Sequence, residues 1–404
     1  MDLAPFDLAR EYVLLGLRFD RIETGFVDAY TGDPRLRQQV QDEPPPEPAA
    51  LARRARELIA ELPASGLPVP RQEYLRGQLT ALECGARKFA DEPVGFIDEV
   101  EAYFQVRPEL GDQDTYRAAH AELDRVLPGS GDLAERLGHL RRREDCPPER
   151  LEEVVAAFAS ALRDRVRGEY GLPQEETVDF QIVTDKPWSG FNYYLGRYRS
   201  EVAINADQPH RFSQLPHLVA HEAYPGHHTE HCRKERGLVE GEGHLEHTIF
   251  LVNTPECLMA EGLADLGLTA AIGVGWGKWA AEILADLGLA LDGEQAEIVS
   301  RASAGLLGVR QDAAIMLHDR GAAQEDVIAY LSRWLLVSPE RAGAMLRFLS
   351  HPLWRAYTST YVEGYRLLSA WLADRPDGQS AAGRFGRLLD EPLTPAVVAA
   401  ELAS

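Results

Sequence analysis

The sequence predicts a mostly α-helical protein with one small antiparallel β-sheet beside a metal-binding helix. Three observations carry that reading. Apolar and charged residues alternate with a period near 3.6 along Leu51 to Leu62, Leu151 to Arg165 and Glu325 to Leu336, the signature of helices with one buried face. One stretch, Thr177 to Asn205, breaks that rhythm. There Val178, Phe180 and Ile182, then Val202 and Ile204, alternate with polar neighbours, with turn residues at Asp185-Lys186-Pro187 and Ser189-Gly190, which predicts two or three short strands. Immediately afterwards the histidines crowd together: eight of the twelve lie between His210 and His247.

The breaks between helices are also written locally. Residues 41 to 48, Gln-Asp-Glu-Pro-Pro-Pro-Glu-Pro, read as an extended linker, because consecutive prolines remove donors and fix φ. Pro-Gly-Ser-Gly at 128 to 131 and Pro147-Pro148 are further breaks. No internal repeat is evident. The expected organisation is an N-terminal helical wall or lid over residues 1–175 and a metal-binding catalytic region over 176–404, the two forming either separate lobes or one continuous domain.

Composition narrows the function. A length of 404 residues with 45% hydrophobic and 26% charged residues suits a globular chain with a sizeable core. The net charge of −22 argues against a nucleic-acid partner, which needs a basic footprint. No run of apolar residues is long enough to span a membrane, and the opening residues lack the features of a secretory signal. Four scattered cysteines, Cys84, Cys146, Cys232 and Cys257, form no metal or redox pair and fit reduced thiols. The expectation is a cytoplasmic protein.

The chemistry centres on His221-Glu222-Ala223-Tyr224-Pro225-Gly226-His227-His228. A hydrolytic zinc site takes three protein ligands and leaves one position for water, and a glutamate beside the first histidine can accept that water's proton. In an H-E-x-x-H helix the ligands stand one turn apart. Here the fourth position after His221 is Pro225, and two residues, Pro-Gly, are in effect inserted. His221 and His228 share a helical face, yet an unbroken helix separates them by about 10.5 Å, too far for one ion. A break at Pro225-Gly226 brings His227 beside His221, with His228 as the competing ligand and His217, one turn earlier, as a weaker one. The third ligand is sought downstream, in Pro255 to Leu266, where Glu261 and Asp265 lie four apart in an otherwise apolar segment. Buried carboxylates need a partner or a metal, so Glu261 is taken as ligand and Asp265 as the partner of an imidazole.

These residues resemble the hallmark of the bacterial domain of unknown function 885 family, whose members are similar to helical zinc metallopeptidases of the Taq carboxypeptidase and oligopeptidase type. Glu261-Gly262-Leu263-Ala264 resembles that family's Glu-Gly-Trp-Ala segment. Arg310, Asp312 and His318 resemble its arginine–aspartate–histidine segment, and Tyr361-Val362-Glu363-Gly364 its late tyrosine–glycine segment. The resemblance covers roughly residues 175 to 370. Leu263 and Leu266 depart from the family's tryptophan and tyrosine, implying a different pocket wall, and the span from Pro352 to Tyr361 is longer by about one helical turn. The resemblance implies a Zn2+-dependent hydrolase of peptide or other amide bonds. Its metal ligands would be His221, His227 and Glu261, its general base Glu222, and its oxyanion or substrate contacts His318, Tyr361 and Arg310. Tyr193 and Tyr194 are candidates for the substrate channel. The alternative is a non-catalytic metal- or peptide-binding protein derived from such an enzyme. The general base Glu222, which a binding protein does not need, favours the enzyme.

Overall fold

The computed structural model describes residues 7–186 and 188–403. Several of its helices start at side-chain caps that the sequence supplies. Asp33 accepts from the Arg35 amide ahead of Pro34–Asp42, and the Thr254 hydroxyl accepts from the Cys257 amide ahead of Pro255–Ala271; proline occupies the first turn of both, where a missing N–H costs nothing. The three helices predicted from periodicity form, as Pro48–Glu61, Leu151–Glu169 and Gln324–Leu335. The proline-rich linker is shorter than expected. Gln41 and Asp42 belong to the preceding helix and Pro48 opens the next, so only residues 43–47 are non-helical.

The strands are β1 (Val27–Tyr30), β2 (Thr177–Val183), β3 (Gly190–Gly196), β4 (Arg199–Asn205) and β5 (Ile249–Leu251). β2, β4 and β3 form one sheet in that order. It is mixed rather than antiparallel, since β4 pairs antiparallel with β3 but parallel with β2, from Thr177 opposite Arg199 to Val183 opposite Asn205. The reason lies in the turns. Arg197 and Tyr198, both at positive φ, fold β3 tightly onto β4, which leaves β2 only the far edge of β4. The run Val202-Ala203-Ile204 is buried on both faces, as a central strand requires. Of the expected turn before β3, Pro187 lies outside the described residues. A second ladder, β1 antiparallel to β5, was not legible in the sequence, since both strands are short.

The axle of the molecule is the helix Pro255–Ala271, called here the central helix. All but three of its residues are buried. Leu258, Met259, Leu263 and Leu266 pack with helices from both ends of the chain, including Phe104, Tyr116, Trp334 and Trp371. Leu268 and Ala271 pack with Phe158, Val202, Ile204 and Val219. Leu263 and Leu266, expected to alter a pocket wall, are therefore core residues. At Gly262 the central helix meets the turn Thr360–Gly364 backbone to backbone: a Cβ there would stand 2.6 Å from the carbonyl carbon of Gly364. Gly262→Ala is expected to destabilise the protein by about 1–3 kcal/mol through overpacking, measured by denaturant unfolding; an unchanged midpoint would show that this contact is slack.

Candidate metal centre

His221 is in the last turn of Leu215–Glu222 and His227 is the first residue of His227–Lys234. Between them the helix is broken, not merely bulged. Gly226 is what allows this: its amide bonds back to the Ala220 carbonyl at 2.8 Å, and a Cβ at that position would lie 1.9 Å from the His221 carbonyl oxygen. The break turns the two imidazoles face to edge, with their Nε2 atoms 3.2 Å apart.

Glu261 arrives from the central helix. Its Oε2 lies 3.4 Å from His221 Nε2 and its Oε1 3.6 Å from His227 Nε2. Tetrahedral ligands about 2.0–2.1 Å from a zinc ion are separated by about 3.3 Å, so these spacings fit one ion. A second observation supports the fit: Glu261 Oε2 is buried and has no hydrogen-bond donor among the described residues. The rest of the shell is in place. Asp265, one turn along the same helix, sits 3.0 Å from His221 Nδ1, which directs the Nε2 lone pair toward the other donors. The Tyr357 hydroxyl donates to Glu261 Oε1 at 2.6 Å.

His228, the competing ligand, points away. Its Nδ1 lies 2.8 Å from Ser200 Oγ and its Nε2 3.2 Å from Glu176, in a buried network with Tyr224 that ties the second helix to the sheet. His217 stands edge-on to Trp276, 4.6 Å between ring centres, and is not in the cluster. A further group among the described residues, His244, Glu246 and His247, also has ligand atoms close together, but Arg71 holds both oxygens of Glu246 at 2.7 Å.

The electrostatics suit a cation. Burial alone would pull the His221 imidazole down, but the carboxylates of Asp265, hydrogen-bonded to it, and Glu261, 3.4 Å away, push it well above its ordinary value. Burial holds His227 down to about 3. Burial raises the Glu222 carboxyl to about 7, with His221 opposing and Glu261 and Asp265 adding; a cation on the cluster acts with His221 and keeps the ionised form accessible at neutral pH. Glu222 is packed under β3, where a Cβ on Gly190 would stand 3.0 Å from its Oε1, and its carbonyl accepts from Asn192 Nδ2 at 2.6 Å.

The remaining expected residues divide. Tyr361 lies beside the cluster, its ring 6.5 Å from that of His221, and Arg310 lines a cavity of about 600 Å³ that Tyr361 shares. His318 is not brought to the site. It stacks on Phe96 and its Nε2 engages the Leu349 carbonyl at 2.7 Å, and the charges nearest it are Arg355, Glu99 and Lys88. It is a packing residue near the end of its helix. Asp312 likewise is structural, bonded to the Gly111 amide and to the Tyr116 and Tyr330 hydroxyls. Tyr194 is buried, bonded to Glu235 and stacked on His231, away from the cavity that Tyr361 and Arg310 line, which does not include it; Tyr193 is 37% exposed. Two site residues escaped the sequence reading. Tyr357 had a signal, lying one helical turn before Tyr361. Asp28 on β1, whose carboxyl burial raises to about 7 with help from Glu261 and Glu222, had none.

No family model matches the chain, and no curated protein matches it in sequence. Two solved structures share its fold. A "putative lipoprotein" from Colwellia psychrerythraea is 16% identical with a TM-score of 0.55, over 87% of this chain and 66% of that one. A "putative lipoprotein of unknown function" from Shewanella oneidensis is 12% identical with a TM-score of 0.50, over 88% and 73%. The chain thus spans just under two thirds of the first neighbour's length, and at these identities the likeness is one of fold alone. An M32 carboxypeptidase from Deinococcus radiodurans R1, 12% identical over 95% of this chain and 89% of that one, overlays at a TM-score of 0.38, too loosely to bear on this chain. Among the described residues no single helix is long and apolar enough to cross a membrane.

The buried His217 gives a pH prediction. Burial holds it to about 4, whereas unfolded it titrates near 6.5. Between those values the unfolded chain binds the extra proton, so the stabilisation is complete above pH 6.5 and is lost as the pH falls toward 4. His217→Leu is expected to flatten the decline of melting temperature over that window relative to wild type. Parallel declines would show that His217 is not held neutral.

Proposed function

We propose that the protein is a zinc-dependent hydrolase of peptide or other amide bonds, with His221, His227 and Glu261 as the metal ligands. The observation that carries this reading is the set of three donors at tetrahedral spacing with a buried carboxylate, Glu222, on the residue next to one of them. A bound zinc ion supplies Lewis acidity at the scissile carbonyl and makes water a better proton donor. The chain's own groups do the rest. Glu222 takes the proton from the attacking water and passes it to the leaving amine, the task of a carboxylate whose affinity for protons is raised toward neutrality. Asp265 keeps His221 in one tautomer and Tyr357 fixes the Glu261 carboxylate, so both are positioning residues. The Tyr361 hydroxyl has no hydrogen-bond partner among the described residues and donates to the oxyanion as it forms.

A catalytically silent binding protein would have the same ligands without a use for Glu222. Glu222→Gln is therefore the decisive variant. Zinc content by elemental analysis is expected to stay at wild-type level while peptide hydrolysis falls by about 10²–10⁴. His221→Ala, His227→Ala and Glu261→Ala should each lose the metal, and His228→Ala should keep it. Hydrolysis undiminished in Glu222→Gln would refute the mechanism. The cytoplasm is the proposed compartment, on the strength of four buried, unbridged cysteines. The lipoprotein name borne by the two fold neighbours points instead to the cell envelope, and fractionation distinguishes the two.

A further inference from the structure

The cavity shared by Tyr361 and Arg310 has a charge pattern opposite to that of the molecule. The chain carries 64 acidic residues against 42 basic ones, yet the residues lining this space include Arg141, Arg310 and Arg341 and neither aspartate nor glutamate. None of the three has a carboxylate partner among the described residues. Arg141 donates to the Leu336 carbonyl at 3.2 Å. Arg341 adds its charge to the surroundings of Arg141, of Arg310 and of the neighbouring Arg211; Asp265 offsets this in part at Arg310, and Glu144 and Asp145 at Arg211, whereas nothing acidic offsets it at Arg141. Such a cluster is costly unless an anion joins it. Its volume, about 600 Å³, is that of a small-ligand site. Met345, Phe348 and Leu306 supply apolar wall, and Tyr361 places one end of the space against His221.

We propose that this cavity is a dicarboxylate subsite that receives the C-terminal acidic residue of a peptide or amide, its α-carboxylate at Arg310 and its side-chain carboxylate at Arg341 and Arg141. One carboxylate neutralises one guanidinium; a cluster of three selects a ligand that brings two. The planar fork of arginine matches a carboxylate in two parallel hydrogen bonds, and the apolar wall accommodates the methylenes between them. Arg310, adjoining Tyr361, takes the carboxylate nearer the scissile bond. The position of the cavity makes the protein exo-acting, removing a terminal glutamate or aspartate. Cleavage rests on the hydrolase reading above, whereas binding rests on the cavity alone.

The two are separable by experiment. In calorimetric titration of the full-length protein, glutarate is expected to bind at least about tenfold more tightly than butyrate, since a site built for a charged group rejects the analogue lacking it. Arg341→Gln should bring that ratio toward one, and Arg310→Gln should weaken both ligands. Equal affinities for the two acids in the wild type, a ratio unmoved by Arg341→Gln, or tighter binding of inorganic phosphate than of glutarate would each overturn the subsite. With zinc-loaded protein, acetylated tetrapeptides ending in glutamate should then be cut with a kcat/KM at least about tenfold above those ending in glutamine. Equal cleavage of the two overturns the subsite as well. If glutarate binds as stated and neither peptide is cut, the subsite stands and the hydrolase reading fails.

Discussion

Everything in the site depends on a carboxylate that has to be buried. The central helix is apolar around nearly its whole circumference, which is what lets it run through the middle of the molecule and join the packing of both halves of the chain. Glu261 sits halfway along it, nearly inaccessible at 5%. A charge in that position is tolerable only if the surroundings answer it. His221, His227 and Tyr357 do so from three other elements, and the spacing of the answering groups is also the spacing of ligands round an ion. The core and the candidate metal centre are thus one solution to one electrostatic problem.

How much of this was legible in the sequence follows from how local each signal is. Long amphipathic helices and the mid-sheet strand β4 announce themselves by periodicity or by a continuous apolar run. The break between His221 and His227 was also visible, because proline and glycine act on their own neighbours. Glu261 could be found from the cost of a carboxylate in an apolar helix. What was not legible depends on chain segments far apart. Asp28 comes within electrostatic range of Glu261 and Glu222 on a strand, β1, that pairs with β5 more than two hundred residues away. His318 looks like a site residue from its type and spacing, but the packing of Phe96 against it and the Leu349 carbonyl decide its role, and neither is implied by its own neighbourhood. The mixed pairing of the small sheet, likewise, follows from which edge of β4 is left vacant.

The electrostatic landscape is strongly uneven. Around the candidate metal centre, Asp28, Glu222, Glu261 and Asp265 gather four carboxyl groups whose ionisation a cation would favour. A few side chains away, beyond Tyr361, the walls carry only positive charge. A net charge of −22 conveys none of this, since it averages over a surface on which most arginines are paired with carboxylates. The arginines that are left unpaired are informative for that reason.

The contact between Gly262 and Gly364 has a mechanical consequence. Two stretches of bare backbone touch there with no side chain between them to absorb displacement, and each is adjacent to chemistry: Glu261 precedes Gly262, and Tyr361 lies in the same turn as Gly364. A shift of that turn therefore cannot be taken up by a rotamer change and is passed directly to the Glu261 carboxylate, so Tyr361 and Glu261, the proposed oxyanion donor and ligand, move as one rigid piece. The distance between them is set by van der Waals contact of main chains, the least compliant spacer that a polypeptide has.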